Sequence, residues 1–184
     1  APLEIPLQPP ATTAPPSQDD LAHRLDIPRH FRVGVQVQSV KNLNVGPTTS
    51  KVHVRYTYPF FGSAAPVFTR PTDAGRNRER SFENPACAFD FVATWGEVIA
   101  KLSATPLVAE LHSNDTYAKS QMVGTARLAL AGLIQTASVA PPAAGLAAAP
   151  VSTEEYWPVH SIATATYKKV AELRVVLSLE DFGE

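Results

Sequence analysis

Five histidines, one cysteine and a single aspartate in a polar segment are the side chains of this sequence with chemistry to offer. Their spacing limits it. His23, His30, His53, His112 and His160 fall at no paired helical ligand spacing with one another or with a cysteine, so structural or incidental roles outweigh a metal site or a general base. Cys87 lies between Ala86 and Ala88 at the start of an apolar strand, the setting of an inert buried thiol rather than a nucleophile. The polar segment His112 to Gln121 holds one carboxylate, Asp115. A loop that captures calcium surrounds the ion with about six to eight oxygens, several of them anionic. Asp115 alone does not meet that need. No Ser/His/Asp order, phosphate-cradling glycine loop or paired carboxylate set is present, so no catalytic residue, metal ligand or cofactor is expected and the chain does not read as an enzyme.

Charge and aromatic residues offer binding instead. Lys51, His53 and Arg55 project from one face of a predicted strand, and Arg70, Arg76, Arg78 and Arg80 follow in the next strand and loop. Together they form a candidate basic face for an acidic protein segment or anionic headgroups, with an attraction screened beyond a Debye length of ~8 Å. A solvated face balanced by Asp73, Glu79 and Glu83 is the stronger of the two readings. Phe60 and Phe61, after Pro59, are a candidate aromatic anchor. Core packing is the alternative, more so for Phe61. Trp95 and Trp157 read as core.

The bulk composition bounds the frame. A chain of 184 residues suits one core with appendages. With 17 prolines against 9 glycines, 45% hydrophobic and 18% charged residues, it reads as globular and rich in Pro-bounded strands. A formal charge of −1 gives no ground for nucleic-acid binding or general attraction to anionic membranes. One cysteine allows no internal disulfide and agrees with a reducing compartment. No stretch approaches the ~18 apolar residues of a membrane span, and no secretory signal opens the sequence. The cytosol is the default expectation, and the termini suggest a piece of something longer.

Residues 1–28 are rich in proline and read as an extended linker, although Leu3, Ile5 and Leu7 alternate as a docked strand would. Residues 29–184 form the expected domain. Phe31, Val33, Val35 and Val37 alternate with polar residues, as do Val52, Val54, Tyr56 and Tyr58. Further strands are predicted at Val67-Phe68, Ala86 to Phe91, from Leu107 to Leu111, Met122 to Leu130, Tyr156 to His160 and Val170 to Asp181. One helix is predicted from Thr94, with Glu97 completing a capping box and Trp95, Val98, Ile99 and Leu102 as its buried stripe. The Ala/Pro-rich residues 136–153 read as a surface loop. The expectation is an all-β, antiparallel, eight-stranded β-sandwich with one short inserted helix.

Several features in order resemble the C2 domain: a first strand ending in Val40-Lys-Asn-Leu, Asn84-Pro85 before a Phe-x-Phe strand, the Leu111 loop leading to Val123-Gly124, and Trp157-Pro-Val. The likeness covers roughly residues 30 to 182. Tyr56-Thr-Tyr-Pro-Phe-Phe-Gly-Ser-Ala-Ala-Pro, Cys87-Ala-Phe-Asp-Phe and Leu179-Glu-Asp-Phe-Gly are similar to the second C2 domain of a family of centriolar scaffold proteins. Calcium-binding members of the C2 family carry aspartates in two loops at one end. Here Asn42 to Ser50 has none, and Ser113 and Gln121 stand where others would lie. The resemblance therefore implies a calcium-independent, non-catalytic module of the centrosome and cytoskeleton that acts in centriole assembly and elongation through protein partners, tubulin or microtubules among them. The fragment is expected to be a monomer. A calcium-independent peripheral phospholipid-binding module is the alternative.

Overall fold

The computed structural model describes residues 18–183, apart from 63–64, 76, 116, 118, 137–147 and 164–166. Within them the period-two segments become strands. Strand β1 (Pro28–Lys41) buries Phe31, Val33, Val35 and Val37, and β2 (Thr49–Tyr56) buries Val52, Val54 and Tyr56. β-Branched and aromatic residues at alternate positions fill one side of a pleated strand, and the polar residues between them face outward. Three two-residue strands follow: β3 (Val67–Phe68), β4 (Thr72–Asp73) and β5 (Arg80–Ser81). Then come β6 (Ala86–Thr94), β7 (Leu107–Asp115), β8 (Gln121–Leu128), β9 (Val151–Ser161) and β10 (Lys169–Gly183).

All pairings are antiparallel and form two layers. In one, β2 lies between β7 and the short β3 and β4, and β8 follows β7. The other runs β9, β10, β1, with β6 and β5 both paired to β1. The layers join where Gly124 and Thr125 pair with Ser161 and His160. Glycine is required at that seam, because a Cβ on Gly124 would stand 2.4 Å from the His160 carbonyl oxygen. The inner faces share one core, and across it Tyr56 meets Phe89 edge-on at 6.5 Å.

Helix α2 (Trp95–Ala104, with α1 being Gln18–Leu25) starts as its sequence directs. The Glu97 backbone N–H donates to Thr94 Oγ1 and the Thr94 N–H donates to the Glu97 carboxylate at 2.9 Å, so two otherwise orphaned donors are satisfied. Trp95, Val98 and Leu102 are buried, but Ile99 is 37% exposed. It sits on the flank of the apolar stripe rather than in it.

The structure corrects other expectations as well. Among the described residues there are ten strands rather than eight, because β4 and β5 form between Val67-Phe68 and Ala86, where no strand is predicted. Helix α1 occupies part of the segment read as extended, while residues 1–17 lie outside the described residues. A short α3 (Ala131–Thr136) follows β8, and β9 begins at Val151, so the reading of 136–153 as a loop is too long at its C-terminal end; residues 137–147 lie outside the described residues. The strand β7 continues to Asp115, so His112 to Asp115 are strand residues rather than loop.

Candidate functional site

On the outer face of the first layer, the β2–β7 register sets Lys51 opposite Asn114, His53 opposite His112 and Arg55 opposite Glu110. The alternation that buries Val52 and Val54 turns Lys51, His53 and Arg55 outward together, as their spacing predicts. The two imidazoles stack with centroids 5.2 Å apart and planes 17° apart. His112 Nε2 lies 3.0 Å from Glu110 Oε2, and Arg55 approaches the same oxygen at 3.6 Å. Burial pushes the His53 pKa below its ordinary 6.5, and His112 pushes it the same way. Asn114 is near enough to favour the proton on His53, yet no well-aligned hydrogen bond forms, and His53 Nδ1 and Asn114 Oδ1 are both buried without a partner.

Arg70 lies 3.6 Å from Glu83, both exposed. Arg78 is exposed in the following turn, while Arg80 is half-buried in β5, which pairs with β1 of the other layer. Arg76 lies outside the described residues. Of the three acids expected to neutralise this face, Glu83 meets Arg70, and Asp73 is the β4 neighbour of Lys51. Glu79 is drawn elsewhere: Ser39 Oγ and the Tyr156 hydroxyl donate to it, and the Ser39 bond first among these holds its carboxyl below the ordinary range. Beside it, Lys41 Nζ lies 3.3 Å from the centre of the Tyr156 ring. This cluster has no sequence signal, since its members come from β1, the β4–β5 connection and β9.

The aromatic pair divides. Phe61 is 2% exposed and stacks on Phe89 at 5.2 Å and on Phe91 at 6.0 Å, so it is core and not an anchor. Phe60 is half-buried, 5.0 Å from Phe91. The 3-10 turn Pro59–Phe61 carries both rings onto the Phe89 and Phe91 side of β6.

At the end of the sandwich where β1 passes to β2 and β7 to β8, Asp115 accepts from Thr48 Oγ1 at 2.8 Å and from the Tyr117 N–H at 3.1 Å. Glu172, at the base of the same end, binds Asn42 and lies 3.4 Å from Lys169. Among the described residues no group of three or more His, Cys, Asp or Glu side chains is placed to hold a metal ion. The opposite end carries a fully buried ion pair that sequence reasoning missed. Arg29 Nε lies 3.0 Å from both oxygens of Asp181, and Trp95 Nε1 and the Gly183 N–H donate to the same carboxylate at 3.1 and 2.9 Å. Their side chains are 2% and 1% exposed.

No family model matches the chain. It is similar to the centrosomal protein of 120 kDa from Xenopus tropicalis, 29% identical over 174 residues that make up 91% of this chain and 19% of that protein. The Bos taurus protein of the same name is 31% identical over 69% of this chain and 13% of its own length, and the Homo sapiens one 28% identical over 94% and 18%. The chain thus spans less than a fifth of the length of these relatives. Among solved structures it resembles one of CC2D1B, described as coordinating ESRCT-III activity during the mitotic reformation of the nuclear envelope, with a TM-score of 0.58 and 13% identity over 79% of this chain and 53% of that one. A C2 domain of plant extended synaptotagmin 1 aligns over 83% of this chain and 96% of its own, with a TM-score of 0.48 and 13% identity. The architecture is that of a C2-like β-sandwich with a short inserted helix. In sequence, this C2-like domain is close to part of the centrosomal protein of 120 kDa.

Proposed function

We propose that the chain is a non-catalytic, calcium-independent C2 module of a centrosomal scaffold, serving centriole assembly and elongation by binding protein partners, tubulin or microtubules among them. It works by surface complementarity. The observation that carries the reading is the occupancy of Asp115: this last residue of β7, the one carboxylate between His112 and Gln121, already accepts from Thr48 and from the Tyr117 backbone, and nothing acidic stands in the β1–β2 connection to share a divalent ion with it. A calcium ion needs several anionic oxygens to offset its desolvation. The likeness to the centrosomal protein of 120 kDa supports the placement at the centrosome and in the cytoplasmic cytoskeleton.

Microtubule co-sedimentation, set beside flotation on anionic phospholipid vesicles with and without micromolar calcium, tests the reading. Expected are co-sedimentation, no flotation and no effect of calcium. Flotation in the absence of microtubule binding would favour the alternative of a peripheral phospholipid-binding module, and calcium-dependent binding of either kind would overturn the metal-free mechanism.

A further inference from the structure

The outer face of the first layer carries more than charge. Phe68, His53, His112 and Met122 form a row that crosses β3, β2, β7 and β8. Phe68 lies 6.1 Å from His53, the histidines stack at 5.2 Å, and Met122 is the register partner of His112. At ~4.8 Å between strands the row is a shelf roughly 14 Å long. Its two ends are open: Phe68 is 56% and Met122 37% exposed. Ring faces and a thioether side by side offer flat, polarisable contact to a planar or bulky apolar side chain.

Cations flank the shelf. Lys51 and Arg55 stand on either side of His53 along β2, and Arg127 projects from β8. Glu110, the acid within the face, is engaged by both His112 and Arg55. Among the described residues, Lys51 and Arg127 are exposed and take part in no ion pair, and Asp73 beside Lys51 in the β4–β2 register makes none with it. The uncommitted charges of this face are thus two cations, Lys51 and Arg127, against one carboxylate, Asp73, and the balance is positive.

Resting on the protein-binding reading above, we infer that this face docks an acidic peptide segment whose central aromatic or large aliphatic side chain lies on the Phe68–His53–His112–Met122 shelf while its carboxylates meet Lys51 and Arg127. An apolar anchor in a ring of polar contacts is how small interfaces concentrate their energy, and the flanking charges set orientation and approach. A lipid surface fits less well. Electrostatic recognition of anionic headgroups draws on clusters of about four to eight basic residues, whereas the two free cations here are set apart by an apolar row. At neutral pH the lowered pKa of His53 favours its neutral form.

Fluorescence anisotropy with three labelled synthetic peptides tests this: one of glutamates around a central phenylalanine, one with alanine for the phenylalanine, and one with glutamines for the glutamates. The first should bind, and the other two should each bind about tenfold more weakly, a difference of about 1.4 kcal/mol. On the protein, Lys51→Glu with Arg127→Glu and, separately, Phe68→Ser should each weaken the first peptide about tenfold or more, whereas Arg78→Glu, off the shelf, should not. All these positions are exposed, and thermal melts would verify that the variants stay folded. Equal affinity for the neutral peptide, or binding unaltered by the paired charge reversal, would overturn the inference. If the peptides fail while the unaltered chain still co-sediments with microtubules, the shelf is wrong and the protein-binding reading stands. If neither occurs and anionic vesicles alone are bound, both fall.

Discussion

Two polar regions of this sandwich solve the same problem in opposite ways. At the closed end, the one that holds Arg29 and Asp181, the Asp181 side chain is 1% exposed and its carboxylate receives Arg29, Trp95 and the Gly183 backbone N–H. Along the upper part of β2 and β7, His53 Nδ1 and Asn114 Oδ1 are buried without hydrogen-bond partners. Both regions sit on the same two-layer frame. Satisfied groups lock a fold, whereas incompletely satisfied groups beside exposed apolar ones are free for something outside it.

The largest expected effect belongs to the closed end. Replacing Asp181 by Ala leaves the Arg29 guanidinium buried and removes the acceptor of the Trp95 indole, which should cost about 3–5 kcal/mol of unfolding free energy. Urea denaturation would measure it. The same pair replaced together by apolar residues, Arg29→Met with Asp181→Leu, should recover most of that loss, because no isolated charge then remains. If Asp181→Ala costs no more than a surface substitution, the contrast between the two regions is lost.

A smaller effect should come from His53. Its folded-state pKa is lowered from 6.5, so the unfolded chain binds the proton more readily than the folded one. The contribution of neutral His53 is therefore fully present above pH 6.5 and declines as pH falls through the window from 6.5 to the folded value. Unfolding midpoints followed from neutral pH to about pH 5 should fall less steeply for His53→Gln than for the unaltered protein. An identical slope in the two would mean that this part of the face is as settled as the closed end.

The sequence carries β1, β2 and β10 in plain view, because each alternates for long enough that only one face can be buried. Helix α2 is equally legible: Thr94 and Glu97 state its start in their spacing. The missed elements lack such local signals. Two-residue strands such as β4 and β5 exist only because β2 and β1 offer them backbone partners. Helix α1 falls in the stretch between Pro16 and Pro28, where no proline stands, so the composition of the whole segment hid it. At the candidate site, the shared outward direction of Lys51, His53 and Arg55 was legible, but the His53–His112 stack depends on the β2–β7 register. Arg29 and Asp181 are 152 positions apart, and only the pairing of β1 with β10 brings them together.

The smallest effect should be that of Asp115→Asn. Its carboxylate is engaged at the rim, where exposed hydrogen bonds contribute little net stability, and an amide retains an acceptor for Thr48 or for the Tyr117 N–H. Stability should change by no more than about 0.5 kcal/mol. The variant gains its use when calcium is added. A ligand that binds only the folded state stabilises it by RT ln(1 + [L]/Kd), so the melting temperature keeps rising as the ligand concentration passes Kd, and a calcium site centred on Asp115 would lift the unaltered protein and leave Asp115→Asn behind. With Thr48 and Tyr117 already on the carboxylate and no second acid in the β1–β2 connection, the two proteins should melt together at every calcium concentration. A calcium-dependent gap between them would show that the rim is built to bind an ion, and recognition by this module would then have to be derived again from that end.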